Sequence, residues 1–155
     1  IGIYNAENEI VKNKSFQEVG VPVLRINRGG KNESTFGPFL DMEHNVFDAV
    51  GHDKRNKYDA SVSLYGVQVV DVKNNIFNKS LGLKMHLVVG EPIVHVLNNN
   101  LFESEGLEVT GDQKYTVENI WSFPPDFRDD TYQLNDTSPL RKLATDGLDL
   151  GLIIN

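Results

Sequence analysis

Short apolar runs separated by polar bends recur along the whole chain, and none of them shows helical periodicity. The runs are rich in β-branched residues, as at residues 23–26, 67–72 and 92–96, which is typical of short β-strands. Gly66 and Gly111 each end such a run, and glycine often marks the end of a strand. The pattern of apolar and polar positions therefore predicts an all-β fold.

A polar bend followed by a large aromatic residue repeats every ~20–30 positions, which is the length of one solenoid turn. The aromatic residues of this repeat are Phe16, Phe47, Phe77, Phe102 and Trp121. Two positions earlier stands Asn in every copy except the first, which has Lys14. Asn tolerates left-handed φ at a bend, and its amide can bond the backbone or the Asn of the next turn. His44 occupies a bend position where other copies have Asn, so we expect a structural hydrogen bond there.

Several strands per turn at this turn length predict a single-stranded solenoid, the right-handed parallel β-helix, with about five coils. Inward side chains of successive coils would stack, so the aromatic residues of the repeat would form one internal column: Phe16, Phe47, Phe77, Phe102 and Trp121. The column has one irregularity, because an extra Asn separates Val96 from Phe102. That insertion predicts a β-bulge and a local offset of the stack.

The two ends of the chain differ in how they could protect a solenoid. An open end exposes unpaired strand edges and needs a cover. We expect residues 1–133 to form the coils and residues 134–155 to form an irregular C-terminal cap. Within the cap, leucines would pack on the final coil: Leu140, Leu143, Leu148 and Leu150. The N-terminal coil shows no such cover, which predicts one domain of a longer polypeptide.

The composition of the chain limits the classes of molecule that it could bind. The chain has 155 residues and a net charge of −7, which disfavours nucleic acid because phosphate binding needs a basic face. No apolar run approaches the ~18 residues that span a bilayer, so we expect no membrane partner. Without cysteine, the chain has neither disulfides nor thiolate metal sites.

Basic residues cluster beside two long insertions, at residues 29–38 and 51–58, and long loops on one side of a solenoid often build its binding face. Four of these residues are candidates for binding acidic groups, since Arg forks match carboxylates: Arg28, Lys31, Arg55 and Lys57. The alternative is internal pairing with nearby acids such as Asp53. His86, on a strand predicted at residues 86–90, is a further candidate, with a structural role as its alternative.

Around these loops the chain resembles a known family. The resemblance is carried by residues 28–38, 54–57, 64–68, 89–92 and the closing stretch from Ser138 to Gly151. These segments resemble, in the same order, the C-terminal part of polysaccharide lyase family six, and its alginate lyases are more similar than its chondroitinase B relatives. The resemblance implies a secreted or periplasmic bacterial enzyme with two β-helical regions that cuts an acidic polysaccharide by β-elimination.

The resemblance also implies where the chemistry lies. A uronate lyase neutralises the carboxylate, removes the α-proton and protonates the leaving oxygen. In this family a calcium ion, a Lys and an Arg of the N-terminal β-helix do so. We therefore expect no catalytic residue and no metal site in this chain, calcium in the upstream domain, and inactivity of this chain alone. Its partners would be alginate and the N-terminal β-helix.

Two alternatives remain open from the residues. The chain could be a non-catalytic carbohydrate-binding or adhesin-like β-helix that shares only the coil. It could also be a complete small lyase that uses Lys14 and Arg25, which would release unsaturated uronate from alginate without an upstream domain.

Overall fold

The computed structural model describes residues 2–4, 8–27, 39–87, 93–111 and 115–154, and every regular element in them is a β-strand. The strands are β1 (Gly2–Tyr4), β2 (Asn8–Lys12), β3 (Ser15–Gln17), β4 (Leu24–Asn27), β5 (Phe39–Glu43), β6 (Val46–Asp48), β7 (Val62–Val67), β8 (Val69–Lys73), β9 (Ile76–Asn78), β10 (Leu83–Leu87), β11 (Ile93–Phe102), β12 (Leu107–Gly111) and β13 (Thr116–Trp121). None of the residues described belongs to a helix that could cross a membrane.

The strands form two sheets whose neighbours come from successive turns of the chain. The first sheet has the order β1-β4-β7-β10-β12, and the second has the order β2-β5-β8-β11-β9-β6-β3, with β13 also paired to β11. Every pairing between these strands is parallel. The fold is therefore a parallel β-helix, as predicted, and the first sheet takes one strand from each of five coils.

Strict alternation of side chains explains why these residues form strands around one core. In β8, Val70 and Val72 are buried while Asp71 lies at the surface, as expected for a strand with one face on the core. In β10 the buried positions are Leu83, Met85 and Leu87. The predicted strand at residues 86–90 is therefore wrong in its start, because this alternation places the strand at Leu83–Leu87. Residues 88–90 lie outside the described part of the chain.

The internal aromatic column is confirmed for its first three members. The rings of Phe16 and Phe47 stack at 5.3 Å, and those of Phe47 and Phe77 stack at 4.5 Å with an interplanar angle of 8°. The next coil places Leu101 on Phe77, and Phe102 pairs instead with Asn78. The predicted column is thus wrong at Phe102.

Two further expectations about this column are also wrong. Trp121 pairs with Asn100, one position away from the column. β11 keeps one register with both β8 and β9, so no bulge interrupts it between Val96 and Phe102. The reason is that Asn98, with φ of 56°, takes the left-handed bend position that Asn74, with φ of 63°, has in the previous coil. The residue aligned with Phe77 is therefore Leu101, one position before Phe102.

Buried asparagines connect the coils in a ladder at the polar bends. Asn45 Nδ2 donates to Asn75 Oδ1 at 3.0 Å, and Asn75 Nδ2 donates to Asn99 Oδ1 at 3.0 Å. Each amide also donates to a backbone carbonyl, as Asn75 Nδ2 does to Met42 O. In the first coil Lys14 replaces Asn, and its backbone N–H donates to Asn45 Oδ1. The ladder satisfies backbone groups that the bends would leave unpaired.

The residue before each ladder position has left-handed φ and faces the C-terminal segment. Residues 138–154 form what we call the C-terminal strap, and they bond successive coils in reverse order. Asn98 Nδ2 donates to Leu143 O, Asn74 Nδ2 donates to Thr145 Oγ1, and Asn13 Nδ2 donates to Ile153 O. The strap therefore runs along the flank of the coils from the fourth to the first.

The leucines expected to pack on the final coil contact several coils. Leu140 and Leu150 are buried in a cluster with Val46 and Ile76 of the second and third coils. Leu143 packs against the same cluster, as does Trp121 of the last strand. Leu148 is 47% exposed. The strap contributes a second, smaller core outside the coils.

Candidate functional site

The predicted binding residues do not come together in one place. Arg28 and Lys31 lie outside the described residues. Arg55 donates both to Asp53 Oδ1 at 2.9 Å and to Asp53 Oδ2 at 2.8 Å, so its fork is occupied by a local carboxylate. The Arg55 bonds hold the pKa of Asp53 well below its usual range. Lys57 is exposed in the same loop.

Of the predicted residues that the structure describes, His86 is the one that lies in a hollow lined by other polar and charged side chains. It lies on the outer face of the first sheet, where two columns of outward positions run across the coils. The first column contains Arg25, Ser63, Lys84 and Glu108 in register, and the second contains Tyr65, His86 and Thr110 in register. Together with Tyr58, these residues form what we call the tyrosine face.

The centre of the tyrosine face is a stacked pair of rings. Tyr65 and His86 lie with ring centroids 4.7 Å apart and an interplanar angle of 8°. His86 Nδ1 is hydrogen-bonded to Thr110 Oγ1 at 2.9 Å, which fixes the imidazole on the next coil. Tyr65 remains 53% exposed. His86 covers one face of the Tyr65 ring, and the remaining part of the Tyr65 side chain reaches solvent.

A bulge at Gly66 sets the position of Tyr65. His86 pairs with Tyr65, whereas Leu87 pairs with Val67, so Gly66 is the extra residue in β7. Its φ of 75° suits glycine and would strain another residue. Bulges often re-aim a side chain beside a functional site.

Two basic groups lie in the column beside the ring pair, Arg25 on β4 and Lys84 on β10. The Arg25 guanidinium lies 4.8 Å from the centroid of the Tyr58 ring, a cation–π contact. Lys84 Nζ lies 3.1 Å from Asp59 Oδ2 and 3.7 Å from Glu108 Oε2. The hydrogen bond to Asp59 raises the pKa of Lys84, so it stays charged at neutral pH.

Two shallow hollows adjoin along the tyrosine face and share Ser63 and Tyr65. One, of about 250 Å³, is also lined by Arg25 and Tyr58. The other, of about 200 Å³, is also lined by Lys84, His86, Glu108 and Thr110. Together their lining residues come from four successive coils, on β4, β7, β10 and β12.

A larger hollow of about 390 Å³ lies at the strap. Four of its charged groups are paired with one another, because Arg141 bonds Asp136 and lies 3.7 Å from Asp149 Oδ2, while Arg128 lies 3.8 Å from Asp136 Oδ1. These pairs leave the tyrosine face as the stronger candidate site.

The outer face of the second sheet carries a network of ion pairs. Lys12 Nζ lies 2.8 Å from Asp41 Oδ2, Lys73 Nζ lies 3.3 Å from Glu43 Oε1, and His95 Nδ1 lies 3.1 Å from Asp71 Oδ1.

Across residues 2–4, 8–27, 39–87, 93–111 and 115–154, no group of three or more His, Asp or Glu side chains is arranged to hold a metal ion.

Lys14 and Arg25, the pair of the small-lyase alternative, lie on different parts of the coil. Lys14 stands at the polar bend between β2 and β3 of the second sheet, where it meets the Asn ladder. Arg25 stands on β4 of the first sheet, in the tyrosine face. The structure does not bring the two together as base and acid.

The fold is similar to solved structures of alginate lyases. The PL6 family alginate lyase AlyGC matches with a TM-score of 0.69 and 32% sequence identity over 75% of this chain. A mutant of AlyGC matches with a TM-score of 0.70 at the same identity and coverage. This chain is a relative of the PL6 family alginate lyases. It spans 17% of the length of the PL6 chains that it matches. No protein-family model and no curated protein matches it.

Sequence reasoning found His86 in this PL6 relative but missed Tyr65, Tyr58 and Lys84. The missing signal was the alternation in residues 83–87, which places Lys84 and His86 outward. The glycine pattern does not reveal the match between Tyr65 and His86. Gly66, which ends a predicted run, is a bulge and has no partner in β10.

Proposed function

We propose that this chain is the C-terminal β-helical domain of an alginate lyase that depolymerises alginate by β-elimination, with the catalytic groups in an upstream domain. The observation that carries the proposal is the match to AlyGC, which covers 75% of this chain but only 17% of that enzyme. A chain of this size corresponds to a part of such an enzyme.

The positions of Lys14 and Arg25 count against the small-lyase alternative. β-Elimination needs a base and an acid that converge on one sugar ring, within hydrogen-bond reach of the α-proton and the leaving oxygen. Lys14 lies at the bend between β2 and β3, whereas Arg25 lies on β4 of the other sheet. We therefore assign proton transfer to an upstream Lys and Arg, with calcium beside them.

The first coil offers a way to join an upstream β-helix. β1 and β2 each stand at one end of their sheet among the described strands. A preceding coil could continue both sheets by parallel pairing, which would satisfy the backbone groups at these edges. The proposal also places the protein outside the cytoplasm, secreted or in the periplasm, where the polysaccharide is accessible.

The test compares this chain with the native polypeptide that carries it, each incubated with alginate while the ultraviolet absorbance of unsaturated uronate is followed. We expect the absorbance to rise with the native polypeptide and to stay flat with this chain, whose fold is checked by circular dichroism. A rise with this chain alone would contradict the assignment of catalysis upstream.

The tyrosine face favours a second candidate function, a non-catalytic carbohydrate-binding β-helix. Exposed rings beside charged groups form a suitable surface for a polysaccharide without any catalytic partner. Under this alternative the native polypeptide would bind the polysaccharide and release no unsaturated product. The absorbance assay therefore separates the two functions.

A further inference from the structure

We infer that the tyrosine face binds a uronate segment of the acidic polysaccharide, with the Tyr65 ring as the platform for a sugar ring and with Arg25 and Lys84 as partners of its carboxylates. The identity of the ligand rests on the proposed function. The site itself rests on the geometry of the described residues.

The exposed ring of Tyr65 is the first reason. Its face is the negative side of an aromatic quadrupole, and the C–H groups of a sugar ring are apolar with a slight positive charge. Tyr65 presents this face from a β-strand while His86 supports it from the next coil at 4.7 Å. The Gly66 bulge and the bond from His86 to Thr110 hold both rings in place before any ligand arrives, which lowers the entropy cost of binding.

The placement of charge is the second reason. Arg25 and Lys84 occupy the strands on either side of the Tyr65 strand, at positions in register with Ser63. Neighbouring strands are about 4.8 Å apart, so the two positions lie roughly 9.6 Å apart, in the column beside Tyr65. A uronate segment that crosses Tyr65 would therefore meet one cation on the preceding strand and one on the following strand for the carboxylates of its sugars.

The present partners of Lys84 do not block this role. The side chains of Asp59 and Glu108 are 70% and 61% exposed, and ion pairs between exposed groups contribute little to stability. Lys84 can therefore exchange one of these carboxylates for that of a uronate at low cost. The Arg25 guanidinium lies 4.8 Å from the Tyr58 ring centroid, and a guanidinium group matches the geometry of a carboxylate better than an ammonium group does.

The experiment measures binding of alginate oligosaccharides to this chain by titration calorimetry, with a neutral cello-oligosaccharide of equal length as the ligand control. We expect Tyr65→Ala to weaken alginate binding about tenfold or more. Tyr65→Phe should stay within about twofold, because the ring is kept. Arg25→Gln and Lys84→Gln should each weaken alginate binding and reduce its salt dependence.

Tyr115→Ala is the matched control, since Tyr115 is 40% exposed and lies outside the tyrosine face. We expect it to bind like the wild type, and thermal unfolding confirms that each variant folds. Unchanged binding by Tyr65→Ala, equal binding of the neutral oligosaccharide, or no binding by the wild-type chain would overturn the inference. Lyase activity of the native polypeptide is measured separately. A native polypeptide without lyase activity would contradict the proposed function, whereas binding of alginate by this chain would still support the inference.

Discussion

His44 Nε2 and Asp146 Oδ2 lie 2.8 Å apart although 102 residues separate them in the chain. The other ring nitrogen of His44, Nδ1, lies 2.9 Å from the carbonyl oxygen of Gly151. This contact fastens the C-terminal strap to the second coil and confirms the structural hydrogen bond expected at His44.

Asp146→Asn should lower the free energy of unfolding at neutral pH by about 1 kcal/mol, because it removes a charge-assisted bond whose carboxylate is partly screened by solvent. Partial burial acts to raise the pKa of Asp146, but bonds from His44 and from the Leu148 N–H outweigh it, and the pKa is lowered. A lowered carboxyl pKa stabilises the fold above the unfolded value of about 3.9, and this contribution is lost as the pH falls below it.

Urea unfolding of the wild type and of Asp146→Asn at pH 7 and pH 3 checks this prediction. The difference between the two proteins should shrink at the lower pH. An equal difference in the free energy of unfolding at pH 7 and pH 3 would mean that the bond between His44 and Asp146 does not hold the strap to the second coil.

Asn75→Ala should cost about 2–4 kcal/mol of stability. Asn75 is fully buried, and its amide serves Asn45, Asn99 and the Met42 carbonyl. Alanine would leave these buried groups without partners, and that is more costly than the loss of one bond. Asn78→Ala is the control, because Asn78 is half-buried and its side-chain amide donates to Asp48, an interaction with one partner in place of three. Equal losses in urea unfolding would contradict the ladder.

Phe47→Ala should cost about 3–5 kcal/mol, since its buried ring is stacked between Phe16 and Phe77 and its removal leaves a cavity. Phe102→Ala should cost about 1 kcal/mol or less, because Phe102 pairs outside the column. Thermal and urea unfolding of the two variants measure the difference. A larger loss of stability for Phe102→Ala than for Phe47→Ala would contradict this register and favour the column expected from the sequence.

Gly82→Ala should destabilise the stack by about 1–3 kcal/mol. A Cβ at Gly82 would lie 2.0 Å from the carbonyl oxygen of Gly106 in the next coil, and this backbone atom cannot move aside cheaply. Gly106→Ala is a matched control, because a Cβ there meets nothing within 4 Å. Its unfolding midpoint should stay near that of the wild type. Equal midpoints for both variants would contradict the close approach of the two coils.

The coils could be predicted because their signal is local and repeated. Alternation in runs such as residues 69–73 and the aromatics Phe47 and Phe77 suffice to give strands, a solenoid and a stacked column. The register at Asn98-Asn99-Asn100 could not be predicted, since any of the three asparagines can adopt left-handed φ. Only the pairing of β11 with both β8 and β9 selects Asn98.

The strap and most of the candidate site could not be predicted for a different reason. The contacts of His44 with Asp146 and Gly151 join distant segments and leave no periodic pattern in the chain. The tyrosine face depends on the pairing of Tyr65 with His86, and the Gly66 bulge conceals that pairing from any alignment on glycine.

Analysis of the products that the native polypeptide releases from alginate tests the central claim most directly. If these coils belong to an alginate lyase, mass spectrometry will show oligosaccharides with an unsaturated uronate at the new non-reducing end. Saturated ends, or an uncut polymer, would contradict that claim.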